Sequence, residues 1–286
     1  MAADGVGGAP SLGSGGMIGA AGSGGGLHVV TEFKIPTIYS TPLNIAVGPD
    51  GNLWFTEQLG NKIGRVTTAG TITEFSIPTP TSAAGGIVAG PDGNLWFTEG
   101  TSKQIGRITT SGMITEFPVA GAVGSPLDIA AGMDGNLWFT ESTTAIGRVT
   151  TVGTISGFPV PLATNSTAVY AGPDGIAAGP DGKLWFTEIG GNTIRSITTA
   201  GTISEFPIPT PSSVPVRIAS GPDGNLWFTE ANSNAIGRLT PASGASARPE
   251  PSPNSRFQPR RPPLESPPAR TATSGSPRLA ATASRT

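Results

Sequence analysis

Apolar and polar positions alternate along this chain in short bursts, and the bursts recur. In the first set, the runs Asn44 to Val47, Leu53 to Thr56, Ile63 to Thr67 and Ile72 to Ile77 are rich in apolar and β-branched residues. Period-two runs of this length, bounded by Gly, Pro, Asn and Asp, predict four short strands, A to D, joined by tight turns. Between A and B stands Gly48-Pro49-Asp50-Gly51. Proline presets φ, aspartate suits the following position and glycine accepts positive φ, so the two strands close as an antiparallel hairpin. Within strand B, Leu53, Phe55 and Glu57 lean to one face and Trp54 and Thr56 to the other, because side chains alternate across a strand. A large aromatic on each face suits a sheet covered on both sides.

The whole set repeats. Thr31-Glu32-Phe33, Thr73-Glu74-Phe75, Thr115-Glu116-Phe117, Ser156-Gly157-Phe158 and Ser204-Glu205-Phe206 are spaced by 42, 42, 41 and 48 residues. A four-strand unit at that period is the signature of a propeller blade. The expected fold is therefore all-β, a β-propeller of four-stranded antiparallel blades with five blade repeats in frame. The long fourth interval holds AGPDG twice, at Ala171 to Gly175 and at Ala178 to Gly182, and is expected to add a turn to one loop. Trp54, Trp96, Trp138, Trp185 and Trp227 share one position of strand B, which reads as packing between blades rather than as a platform for sugars or bases. Arg65, Arg107, Arg148 and Arg238 recur in strand C, with Ile194-Arg195 in the fourth unit. Arginines repeated in this way make structural hydrogen bonds to neighbouring loops; a phosphate-binding ring is the alternative.

Composition sets limits on this picture. Residues 1–28 are almost all small and Gly-rich, and residues 245–286 are Pro, Ser, Ala and Arg with few large apolar side chains. Both ends read as disordered segments around a propeller spanning 29–244. The tail carries seven arginines against Glu250 and Glu265, a charge of +5, which leaves −7 for the rest of a chain whose net charge is −2. An acidic body argues against nucleic acid as a partner. The chain has no cysteine, which excludes disulfides, zinc thiolate sites and cysteine nucleophiles. There is no apolar run long enough to cross a bilayer and no basic start followed by an apolar stretch, so a soluble, cytoplasmic protein is the default expectation.

Strands A and B are antiparallel, so the start of A and the end of B share one face of the disk. The variable pairs Leu43-Asn44, Gly85-Gly86, Leu127-Asp128, Asp174-Gly175 and Val216-Arg217 open strand A there, beside the glutamates that close strand B: Glu57, Glu99, Glu141, Glu188 and Glu230. A partial ring of rim carboxylates is a candidate for a hard cation, or for a general base where burial raises a carboxyl pKa. The structural reading is that each glutamate caps its loop or meets an arginine.

The unit as a whole, GPDGNLWFTE, then Ile-Gly-Arg, Gly-Thr-Ile-Thr-Glu-Phe and Ile-Pro-Thr-Pro, resembles the virginiamycin B lyase (streptogramin lyase) family over Thr31 to Thr240. The resemblance implies a seven-bladed propeller that opens type B streptogramins, cyclic depsipeptides, by magnesium-dependent elimination rather than hydrolysis. It also implies histidines at the start of strand A in late blades and a glutamate closing strand B of the last blade. Glu230 is the matching glutamate and the weak catalytic candidate. The histidine positions hold Leu43, Gly85, Leu127 and Val216, the long interval leaves the position in the fourth unit open, and the single histidine of the chain, His28, precedes the first strand. Elimination needs a base for the α-proton and an acid for the leaving oxygen; with no such pair evident, the expectation is an inactive relative. A non-catalytic propeller that binds a ligand or protein is the alternative.

Beyond Thr240 the pattern stops. Read one base out of frame, codons for Ala269 to Arg278 can spell Gly-Pro-Asp-Gly-Asn-Leu-Trp-Phe-Thr-Glu, and the same frame back to Arg248 permits TTGTITEFPIPTPTAPSGIAA. The tail is therefore expected to be a frameshifted blade. At the other end, His28 to Pro36 reads as a lone strand D placed to complete the last blade beside Ala235 to Thr240. A ring closed in this way would be a monomer. An open arc would expose apolar faces and associate.

Overall fold

The computed structural model describes residues 30–121, 124–143, 145–162 and 172–242. Its strands come in sets. The first blade is β1 (Pro42–Val47), β2 (Leu53–Glu57), β3 (Lys62–Val66) and β4 (Ile72–Ser76). The second is β5 (Ala84–Ala89), β6 (Leu95–Glu99), β7 (Gln104–Ile108) and β8 (Ile114–Pro118). The third is β9 (Pro126–Ala131), β10 (Leu137–Glu141), β11 (Ala145–Val149) and β12 (Ile155–Pro159). The fourth is β13 (Pro173–Ala178), β14 (Leu184–Glu188), β15 (Thr193–Ile197) and β16 (Ile203–Pro207). The fifth is β17 (Pro215–Ser220), β18 (Leu226–Glu230) and β19 (Ala235–Leu239). Each set is one antiparallel sheet paired in sequence order, four strands in the first four and three in the last. The innermost strands β1, β5, β9, β13 and β17 pack side by side in that order.

The A–B turn does more than reverse the chain. Gly51 sits at φ 75°, where a side chain would be strained. Asp50 accepts from the backbone and side-chain amides of Asn52 at 3.2 and 2.7 Å, and from the Trp54 indole at 2.9 Å. The same aspartate-to-indole bond recurs at Asp92, Asp134, Asp181 and Asp223. Burial opposes ionisation of Asp92 and Asp134, but the asparagine and indole hydrogen bonds hold both carboxyls below their ordinary range. One turn residue thus fixes the hairpin and the orientation of the tryptophan that packs outward from it.

Blades meet through the two faces of strand B. Trp54, Ile63 and Ala46 of the first blade, with Ile77 just after β4, pack against Ile87, Leu95, Phe97 and Ile108 of the second, and Trp96 and Trp138 head equivalent clusters. Burying an aromatic of this size contributes on the order of 2–3 kcal/mol. Trp54 also stacks on Phe75 with centroids 5.5 Å apart, and the Arg65 guanidinium lies 5.5 Å from the Trp54 ring and 5.6 Å from Phe75. Its Nη1 then donates to the Thr110 carbonyl in the next blade at 3.0 Å, as Arg107 does to Thr151 at 3.1 Å. The arginines are structural bridges.

Two expectations are corrected. Within the duplicated AGPDG, Pro173, Asp174 and Gly175 form no added turn but open strand β13, with Pro173 opposite Glu188, in line with the placement of Asp174-Gly175 at a strand A start, while the second copy forms the A–B turn with Gly182 at φ 80°. Sheet pairing decides between two identical pentapeptides. Residues 30–36 do not complete the last blade, because they belong to no strand and, among the described residues, β19 has only β18 beside it. The segment lies instead against the first blade. A Cβ built on Gly70 would stand 2.0 Å from the Phe33 ring, the place that Phe75 takes at Gly112 in the second blade. The expectations for His28, for 1–28 and for the frameshifted tail fall outside the described residues.

Candidate functional site

The five glutamates that close strand B stand opposite the first residue of strand A, as in Pro42 with Glu57 and Pro215 with Glu230. They do not form an open ring. All five are buried, and Glu57, which has no preceding blade, is covered by Ser40 and by Gly60 of its own B–C loop. Glu99 is fully buried and accepts from Ser102 Oγ at 3.0 Å. Burial, reinforced by the nearby Glu116 carboxylate, pushes its pKa up to about 8. Burial also raises Glu57 and Glu141. Glu188 is held by Arg195 Nε at 2.7 Å and by Thr193 Oγ1 at 3.0 Å. Among the described residues no three His, Cys, Asp or Glu side chains converge as metal ligands would.

The fourth blade departs from the others where Arg195 replaces the strand C glycine. Elsewhere a phenylalanine ring covers that glycine so closely that a Cβ on Gly64 would lie 2.1 Å from Phe55. Arg195 is buried there and spans Glu188 and Glu205, the latter at 2.8 Å.

The strand A pairs are drawn together around the axis. Leu43, Asn44, Gly85, Leu127, Asp174 and Arg217 line a cavity of 250 Å³. Asp128 Oδ2 lies 3.2 Å from Arg217 Nη1, although the two are 89 residues apart, and it accepts from the Ile176 amide at 3.2 Å. Its other oxygen accepts from the Ile129 amide at 3.0 Å. Burial raises the Asp128 carboxyl despite these donors, and burial likewise raises Asp174, which Arg217 opposes and Asp128 reinforces. Glycines make the convergence possible: a Cβ on Gly86 would stand 2.7 Å from Asp128 Oδ1. Asp128, Asp174 and Arg217 belong to the variable pairs that the sequence places on the same rim as the repeated glutamates, but not to the carboxylate ring that repetition singles out. Their signal is the opposite one, a departure from the repeat at a shared register position.

The threonine of strand B holds this mouth open at a fixed width. Thr56 Oγ1 accepts from the Asn44 amide at 3.2 Å and donates to the Gly85 carbonyl of the next blade at 2.9 Å. Thr98, Thr140 and Thr187 repeat both bonds.

The sequence profile of the Virginiamycin B lyase family matches residues 14–174 and 163–257. The chain belongs to this family. A virginiamycin B lyase from Staphylococcus aureus shares its fold with a TM-score of 0.70 at 45% identity, over 76% of this chain and 72% of that one. A catalytically inactive form of the Staphylococcus aureus enzyme, solved with quinupristin, gives 0.70 at 44% identity over the same shares. A streptogramin B lyase gives 0.67 at 39% identity, over 73% of this chain and 67% of that one. The virginiamycin B lyase of Bacillus licheniformis is 46% identical over 43 residues, which are 15% of its length. Among the described residues of this virginiamycin B lyase family chain, no helix is long and apolar enough to cross a membrane.

Magnesium, which the family implies, asks for several oxygen ligands in octahedral array. The described residues do not fit it. The Asp128 oxygens are taken by a guanidinium and two amides, and the strand B glutamates are each sealed in their own blade.

Proposed function

We propose that this chain is a ligand-binding propeller of the virginiamycin B lyase type, whose axial mouth takes a small cyclic depsipeptide without opening its ester ring. One observation carries the reading, the residues at the five strand A starts. Four of the positions where the resemblance calls for histidine hold Leu43, Gly85, Leu127 and Val216, none of which can take or give a proton, and the remaining start holds Asp174, which leaves one titratable group where elimination needs a base and an acid. The Asp128 carboxylate beside the mouth has its oxygens engaged by Arg217 and two backbone amides, which leaves little room for it to take a substrate proton. Asp174 is the other carboxyl at the mouth, where burial raises its affinity for a proton and Arg217 opposes the shift, and it is placed to meet a polar group of a bound ligand. The walls contributed by Leu43 and Leu127 supply apolar contact for a macrocycle.

Incubation of the purified chain with a type B streptogramin and magnesium, followed by mass analysis, tests this. The expected outcome is intact cyclic substrate together with measurable binding by calorimetry that Arg217→Ala weakens. Appearance of the linear elimination product would overturn the proposal, and loss of that product in Glu230→Ala would then assign the chemistry to the last blade. A propeller that binds some other ligand or a protein is the second reading; it is favoured if calorimetry shows no streptogramin binding.

A further inference from the structure

The two ends of the arc carry the two halves of a blade junction. On the first blade, Phe33, Ile35, Ile45, Leu53, Phe55 and Ile72 line an apolar groove of 410 Å³. Each has a counterpart 42 positions on, namely Phe75, Ile77, Ile87, Leu95, Phe97 and Ile114. Ile87, Leu95, Phe97 and Ile114 of the second blade, together with Phe75 from the outer strand of the first blade and Ile77 just after that strand, enclose Trp54, Ile63 and Ala46 of the first blade. The residues of the fifth blade that correspond to these three are Trp227, Ile236 and Ala219. Trp227 is 38% exposed where the other four tryptophans are at most 1% exposed, and Ile236 is 64% exposed where Ile63 and Ile105 are at 0%.

We infer that this chain associates head to tail with a second copy of itself, the fifth blade of one docking on the first blade of the next. This surface goes beyond the proposed ligand site. The occupant is chosen by continuity with the junctions already inside the molecule. In each of these, an apolar tryptophan face meets an apolar leucine and phenylalanine face, and the free ends present one of each. The hydrogen-bond pattern extends in the same register. The Thr229 hydroxyl, which accepts from the Arg217 amide at 3.0 Å, is placed to donate to the Leu43 carbonyl of the second copy, as Thr56 does to Gly85. Arg238, 5.6 Å from the Trp227 ring, gains Phe33 of that copy on its other side, as Arg65 has Phe75.

The same docking completes the short blade. Strand C pairs with strand D as Ile63 with Phe75, Gly64 with Glu74 and Arg65 with Thr73. The free edge of β19 therefore matches Phe33, Glu32 and Thr31 of the second copy to Ile236, Gly237 and Arg238. Residues 30–36, which belong to no strand in the single copy, become the fourth strand of a neighbour's blade, an edge-pairing of the ordinary kind. The contact is heterologous, so it propagates rather than closing at a dimer.

Sedimentation velocity of the full chain over a concentration series reads the association. Ile236→Asp blocks the tryptophan face and Leu53→Asp blocks the groove; both side chains are exposed in the single copy, so circular dichroism of each variant should match the parent. The parent is expected to gain mass with concentration, and each variant alone is expected to sediment as a monomer at every concentration. Mixed in equal amounts, the variants retain one good face each and are expected to form a dimer and nothing larger. A parent that stays monomeric, with its faces closed within one chain, would overturn the inference. So would variants that assemble like the parent, or a mixture that yields no dimer.

Discussion

Glu99 gives the fold a dependence on pH whose sign follows from its surroundings. Its folded pKa is pushed from 4.5 to about 8, so between those values the folded chain binds a proton that the unfolded chain releases. Stability contributed by this group is fully present below pH 4.5, falls as pH rises through the interval, and is lost above about 8. Each tenfold change in proton affinity is worth about 1.4 kcal/mol, so the interval sets an upper limit of about 5 kcal/mol. Local relaxation and entry of water share the cost of burying the charge, which brings the expected loss to about 2–3 kcal/mol. Glu99→Gln keeps the shape and removes the titration. Urea unfolding followed by tryptophan fluorescence at a series of pH values measures both proteins. The variant should be the more stable of the two at high pH and nearly equal to the parent at low pH. Other titrating groups cancel in the difference. Parallel stability curves for parent and variant across the interval would refute the reasoning.

Two further perturbations separate packing from charge. Arg195→Met leaves the buried Glu188 carboxylate without its ion partner and should cost about 3–5 kcal/mol, with most of the loss recovered in the Arg195→Met, Glu188→Gln double variant; failure of that recovery in urea titrations would show that the arginine acts through packing alone. Gly106→Ala puts a methyl 2.1 Å from the Phe97 ring, and the displaced ring should lower stability by about 1–3 kcal/mol, whereas Gly51→Ala, with nothing within 4 Å but φ at +75°, should cost about 1 kcal/mol through backbone strain alone. Thermal melts of the two alanine variants rank them.

The strands were legible because the alternation within LWFTE and the glycine turns are local signals, and local signals agree here with the tertiary arrangement. Leu53 to Thr56 was read one residue short of β2, within the ordinary fraying of boundaries. Where two readings competed, distant partners decided. Pro173 to Gly175 are strand because Pro173 pairs with Glu188, whereas the same Pro-Asp-Gly at 180–182 is a turn, and nothing local to the tripeptide separates the two. The glutamates were read at the right end of strand B, yet whether a side chain there faces the axis or the preceding blade depends on the curvature of the arc. Asp128 and Arg217 meet across 89 residues, a contact that appears only once five strand A segments are placed around one axis. The tryptophans were readable as packing residues, but the bond from each indole to the aspartate of its own turn was not. That aspartate had a sufficient local reason to be there already.

The threonine relay also separates what a propeller must inherit from what it is free to vary. At each internal junction the hydroxyl joins a main-chain amide to a main-chain carbonyl of the following strand A. Because both partners are backbone, the joint is indifferent to the side chains on that strand, and these are the ones that change from Asn44 to Gly86 to Asp128 to Arg217. Selection for new chemistry at the mouth can therefore act one residue at a time while the mechanical coupling of the blades stays constant, and lineages of such repeats can drift in substrate without drifting in shape.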